Sequence, residues 1–112
     1  MKKIFCWILI VGLVISIGMF KCTKKVQEIK IGVILPLTGD GSAYGQNEKN
    51  GIDLAIIEIN EAGGIAGKKI KAIYEDSRGV PTVATLAIQK LITQDEVQVV
   101  IGDAFSSPTL AM

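Results

Sequence analysis

The sequence predicts an α/β fold built as a doubly wound parallel sheet, and three observations carry that expectation. Apolar segments suited to strands stand at 29–36, 69–75 and 97–102, stretches with helical apolar spacing lie between them, and each strand runs into a loop containing Gly, Ser or Asp. Alternation of strand and helix is the pattern of parallel sheets with right-handed crossovers. The order is β-α-β-α-β, with a further helix starting near residue 106. Three strands make a thin sheet and the last helix has barely begun, so the chain reads as cut within the domain, an incomplete lobe.

The elements follow from local chemistry. Residues 29–36 (IKIGVILP) are nearly all apolar after Lys30, as suits a buried parallel strand, and Pro36 ends it. Residues 38–45 (TGDGSAYG) hold three glycines and predict a loop. From about 45 to 62, Ile52, Ala55, Ile56 and Ile59 recur at the spacing of an amphipathic helix, with Asp53, Glu58 and Glu61 on other faces. Gly63-Gly64 supplies a left-handed stop. Residues 69–75 (KIKAIYE) alternate as a second strand. After the loop 76–80, Pro81 suits a first helical position, and Ala84, Ala87, Ile88 and Leu91 form one stripe of a helix over 81–94. Residues 97–102 (VQVVIG) are the third strand, and Ser106-Ser107-Pro108 has the look of a helix start with a hydroxyl cap.

Of the 112 residues, 49% are hydrophobic, and mean hydropathy is +0.44. Much of that sits in residues 4–20, an uncharged apolar run behind Lys2 and Lys3. The layout of residues 1–22 is that of a secretory signal. Its 17 apolar residues also reach the lower limit for an uncleaved membrane anchor. Both readings place the rest of the chain outside the cytoplasm, in the periplasm or held to the outer face of the membrane. Cys22, followed by Thr-Lys-Lys, resembles the lipid-modified first residue of a bacterial lipoprotein, although Lys21 stands where such processing wants a small residue. Residues 23–28 (TKKVQE) read as a polar tether.

Beyond residue 22 there are nine bases against eleven acids, a net −2, and the whole chain contains no histidine. That balance gives no basic footprint for nucleic acid. It leaves no Cys/His zinc spacing and no Ser/His or Cys/His catalytic arrangement, so enzymatic activity is not expected. Gly39, Gly41 and Gly45 miss the spacing of a dinucleotide fingerprint by one residue, and no P-loop lysine follows. Asp103 follows the third strand as a phospho-acceptor would, but the first strand ends Ile34-Leu35-Pro36, without the acids that would hold magnesium.

Ligands of open α/β sheets sit beyond the C-terminal strand ends. The candidates are therefore Thr38, Asp40, Ser42, Tyr44, Asp76, Asp103, Phe105, Ser106 and Ser107. Two hydroxyls at a helix N-terminus suit a carboxylate, and Ser107 capping its own helix is the competing explanation. Tyr44 and Phe105 are two of the three aromatics beyond the apolar run, and both fall at that edge.

As a set, the residues resemble a known family. Ile31-Gly32-Val33-Ile34-Leu35-Pro36-Leu37-Thr38-Gly39, then Tyr44-Gly45, Gly51 and Ala55, are similar to the opening of periplasmic branched-chain amino-acid-binding proteins. INEAGGIAGKKI (59–70) is the most specific piece, and 75–92 and 97–111 match the next two segments. The resemblance implies the N-terminal part of a two-lobed type I periplasmic binding fold over residues 29–112. Such a protein is the solute-binding component of an ABC importer, needs no cofactor or metal, binds a small amino-acid ligand and delivers it to a membrane permease. It implies that Ser106 takes the ligand's α-carboxylate with Ser107 beside it, that Tyr44 borders the ligand side chain, and that Phe105 lies near the same edge. Gly79 and Phe105 stand where some members carry a disulfide, and Val80 replaces the usual aspartate before the second helix's proline. The alternative reading is the start of a membrane-anchored ligand-sensing receptor domain.

Overall fold

The computed structural model describes residues 27–112; the apolar run and Cys22 lie outside the described residues. Among the described residues no helix is long and apolar enough to cross a membrane. The elements are β1 (Glu28–Leu35), α1 (Ser42–Glu61), β2 (Lys69–Asp76), α2 (Pro81–Thr93), β3 (Val99–Ile101) and α3 (Ser106–Ala111). The strands form one parallel sheet in the order β2-β1-β3, with Gly32 opposite Ile73 on one side and Val100 on the other.

Successive strand residues face opposite sides, and the two long helices divide those sides between them. On one side, Ile34 packs with Ala84, Ala87 and Leu91 of α2, and Ile73, Val97, Val100 and Met112 close the edge of this core. On the other side, Tyr74 of β2 reaches α1, where its hydroxyl donates to Asp53 Oδ1 at 2.6 Å. The sheet is therefore doubly wound, as the element order requires. Val33, Ile34 and Leu35 are fully buried, so β1 is the spine of the domain. Burying each such side chain is worth about 1.5–3 kcal/mol.

The α1–β2 corner explains the most family-specific stretch of the sequence. The last turn of α1 closes with Gly64 N–H donating to Ile59 O at 2.8 Å and Gly63 N–H donating to Asn60 O at 3.3 Å, with both glycines at positive φ. Asn60 then binds the start of β2 twice: its amide donates to Ile70 O at 2.9 Å and its carbonyl accepts from Ile70 N–H at 2.7 Å. A Cβ on Gly64 would lie 2.1 Å from Lys68 O, so only glycine fits. This motif is architecture, not ligand contact.

Several expectations are corrected. Helix α1 begins at Ser42, so Tyr44 and Gly45 belong to its first turn and not to a loop. The packed face is Ile52, Asp53, Ile56 and Asn60, while Ala55 and Ile59 are exposed. Asp53 is turned inward because Lys49 (2.5 Å) and Tyr74 both bind it, and Lys49 also lies 4.5 Å from the centre of the Tyr74 ring. The lysine and tyrosine donors hold the Asp53 carboxyl below its ordinary value, and burial together with that carboxylate pushes the Tyr74 phenol up. Strand β3 is only three residues long. Val97 N–H turns back to Leu91 O, and β3 is an edge strand whose Val99 and Ile101 are exposed.

Two glycine substitutions in this region should act with opposite signs. Gly64→Ala should cost about 2 kcal/mol or more, from steric overlap and backbone strain. Gly51→Ala meets nothing within 4 Å inside α1 and should stabilise by roughly 0.5–1 kcal/mol. Thermal melts of the two variants check the contrast; equal shifts would contradict this account of the corner.

Candidate functional site

Three loops meet at the C-terminal edge of the sheet: 36–41 after β1, 77–80 after β2 and 102–105 after β3. Carboxylates hold them together. Asp76 Oδ1 accepts the N–H groups of Leu37 (2.9 Å), Thr38 (3.3 Å) and Arg78 (2.9 Å), and Oδ2 accepts the Thr38 hydroxyl at 2.5 Å. Burial raises the Asp76 carboxyl, but these four donors outweigh it and hold the group below its ordinary value. Asp76 and Thr38, both candidates for ligand contact on sequence grounds, are thus committed to each other.

Asp103 does the same for the next pair of loops. The hydroxyl of Ser77 donates to Oδ2, and the N–H of Phe105 donates to Oδ1 at 2.9 Å. Ser77 is completely buried and also accepts Gly79 N–H at 3.0 Å, while its own N–H donates to Leu35 O at 2.9 Å. Sequence reasoning passed over Ser77. The only hint was a small hydroxyl residue directly after a strand end, where a larger side chain would not fit.

Above these bonds lies an aromatic pair. Phe105 stands edge-on to Tyr44, with ring centres 5.9 Å apart and planes at 71°. A Cβ on Gly79 would come within 3.3 Å of the Phe105 ring. Ring and glycine thus meet across the loops after β2 and β3.

Helix α3 starts immediately after this ring. Its cap residue is Phe105, with extended backbone and no side-chain cap, so the expected cap by Ser107 is not present. Thr109 instead closes the turn, its hydroxyl donating to Phe105 O (2.8 Å) and Asp103 O (3.1 Å). Ser106 and Ser107 are exposed. Ser106 shares a shallow groove with Asp103, Ala104, Phe105, Thr109 and Leu110. Tyr44, Phe105 and Ser106 are therefore brought to one edge. Asp40 is exposed and Ser42 half-buried at the start of α1, and neither joins the carboxylate network. Among the described residues no cluster of three or more acidic, Cys or His side chains could hold a metal ion.

The fold, a parallel sheet in the order β2-β1-β3 with loops joined at its C-terminal edge, is an open α/β lobe. Residues 28–112 match the periplasmic binding protein family, and the chain belongs to it. It is 40% identical over 79 residues to the Leu/Ile/Val-binding protein BraC3 of Rhizobium johnstonii, an alignment covering 70% of this chain and 21% of that protein. Among solved structures it is similar to the branched-chain amino acid transporter substrate-binding protein LivJ of Streptococcus pneumoniae in complex with isoleucine (TM-score 0.73, 40% identity, 76% of this chain and 24% of that one). It is also similar to a solute-binding protein of an ABC transporter from Rhodopseudomonas palustris in complex with 3,4-dihydroxybenzoic acid (TM-score 0.69, 33% identity, 75% of this chain and 23% of that one). The chain spans about a quarter of the length of the relatives it matches.

The Asp76 network makes a pH prediction. A carboxyl depressed in the folded state contributes stability at neutral pH that is lost as pH falls through its folded value. Asp76→Asn should destabilise by about 1–3 kcal/mol at pH 7, and the deficit against wild type should shrink below about pH 4. Unfolding curves at pH 7 and pH 3 measure this; a deficit that does not change with pH would refute the assignment.

Proposed function

We propose that this chain supplies the first part of lobe I, residues 29–112, of an extracytoplasmic solute-binding protein that delivers a small carboxylate, an amino acid of branched-chain type or a related acid, to an ABC permease. In this reading residues 1–22 export the chain or anchor it, with Cys22 as a lipidation site if processing occurs there, and residues 23–28 tether the lobe. The protein binds and releases its ligand without chemical change and uses no cofactor.

The observation that carries the reading is the division of labour at the sheet edge. Thr38, Asp76, Ser77 and Asp103 spend their hydrogen bonds on the loops, whereas Ser106 and Ser107 begin α3 exposed and without a capping bond. In this reading the Ser106 hydroxyl in the groove, with Ser107 next to it and the N–H groups of these two residues (Pro108 has none), favours a carboxylate. The backbone before Ser106 is pinned by Asp103, so this site is set before ligand arrives. Tyr44 and Phe105 border the remainder of the ligand. The ligands named for two solved relatives, isoleucine and 3,4-dihydroxybenzoic acid, have a carboxylate in common. A second lobe would supply the rest of the pocket, including an acid for the ammonium group of an amino acid.

Calorimetry on residues 28–112 grafted in place of the matching segment of the pneumococcal relative tests the proposal. The graft should bind at least one of leucine, isoleucine, valine or a small aromatic acid. Ser106→Ala should weaken that binding about tenfold to a hundredfold, as expected for a hydrogen bond to a charged group. Residues 23–112 alone should bind none of these tightly. A folded graft that binds no carboxylate would end this reading.

A further inference from the structure

We propose that Tyr44 and Phe105 form a preformed aromatic corner that selects carboxylates bearing an aromatic ring over branched aliphatic amino acids; this specificity rests on the carboxylate reading of Ser106 and Ser107. Residues 27–112 contain three aromatic side chains, and Tyr74 is spent on the α1 face with Asp53 and Lys49. The other two stand together at the ligand edge, where Tyr44 is 65% exposed and Phe105 36% exposed. Tyr44 is thus largely open to solvent, whereas Phe105 keeps about a third of its surface free and packs the rest against the loops.

The corner is rigid because the loops are built around it. A Cβ on Gly41 would lie 2.6 Å from Phe105 Cε2, and a Cβ on Gly79 would lie 3.3 Å from the same ring. A side chain at Gly41 would displace the ring, and one at Gly79 would crowd it. Its backbone is fixed in turn by the bond from Phe105 N–H to Asp103. The adjacent residue in the chain is Ser106, so the ring and the proposed carboxylate site are held in one register.

The angle between the rings sets the preference. At 71° and 5.9 Å they already form an edge-to-face pair. A third flat ring entering this corner can lie against one face while offering its positive edge to the other, a favourable quadrupolar arrangement. A branched aliphatic group gains contact area there but no such directional term. The expected advantage is about fivefold or more in Kd for an aromatic acid over an aliphatic amino acid.

The grafted protein described above, titrated by calorimetry with phenylalanine, benzoate, 3,4-dihydroxybenzoate, leucine, isoleucine and valine, provides the test. At least one aromatic ligand should bind more tightly than every aliphatic one. Phe105→Leu should reduce that preference to within about twofold, the ratio of aromatic to aliphatic Kd being the quantity read. If Phe105→Leu does not fold, Tyr44→Leu, on the exposed side of the corner, is read in its place. Tighter binding of leucine, isoleucine or valine would overturn the aromatic preference and leave the carboxylate reading intact. An aromatic preference that survives in both variants would overturn the role of the corner. Failure to bind any of the six would instead defeat the underlying proposal.

Discussion

Each of two strand-end carboxylates reaches across to the next loop, and the edge of this lobe depends on that exchange. Beyond the strand ends the backbone supplies the bond from Ser77 N–H to Leu35 O, and side chains make the links from loop to loop. Asp76 draws the loop after β1 onto the end of β2 through three backbone N–H groups and one hydroxyl. Asp103, through Ser77, draws the β2 loop onto the end of β3. The Phe105 ring then closes over the glycines of the first two loops. The N–H and hydroxyl donors around each aspartate are what hold the three loops in register.

This arrangement separates residues that build the edge from residues left available. The builders make several bonds each, and Asp76, Ser77 and Asp103 are partly or wholly buried. The available ones, Ser106, Ser107, Tyr44 and Phe105, begin a helix or stand beside its start. In the proposed binding lobe that separation lets a ligand contact be substituted without releasing the loops.

The fold was legible because its cues are local. Pro81 opens α2, Gly63-Gly64 closes α1, and the apolar run of β1 is buried, each for a reason carried by a few neighbouring residues. What was misread needed long-range information. Asp76 looks like any loop acid until its partners 38 and 39 positions away are known. Ser77 is bonded to Asp103, 26 positions away, and Asp53 to Tyr74, 21 positions away. The β-branched run at 97–102 reads as a full strand, but Val97 is claimed by the end of α2. Of the proposed site, the two aromatics and two serines were visible as residue types at a strand end. The corner made by the rings was not, because it depends on the absence of side chains at Gly41 and Gly79.

The strand order β2-β1-β3 has a consequence for the timing of folding. The most buried strand comes first in the sequence, yet both of its neighbours come later, and 33 residues separate Leu35 from the start of β2 at Lys69. A chain emerging N-terminus first therefore shows an apolar, unpaired spine well before any partner exists, and cannot settle into a stable sheet prematurely. On the proposal that residues 1–22 export the chain, a central strand that waits for its neighbours is a built-in delay until the crossing is complete.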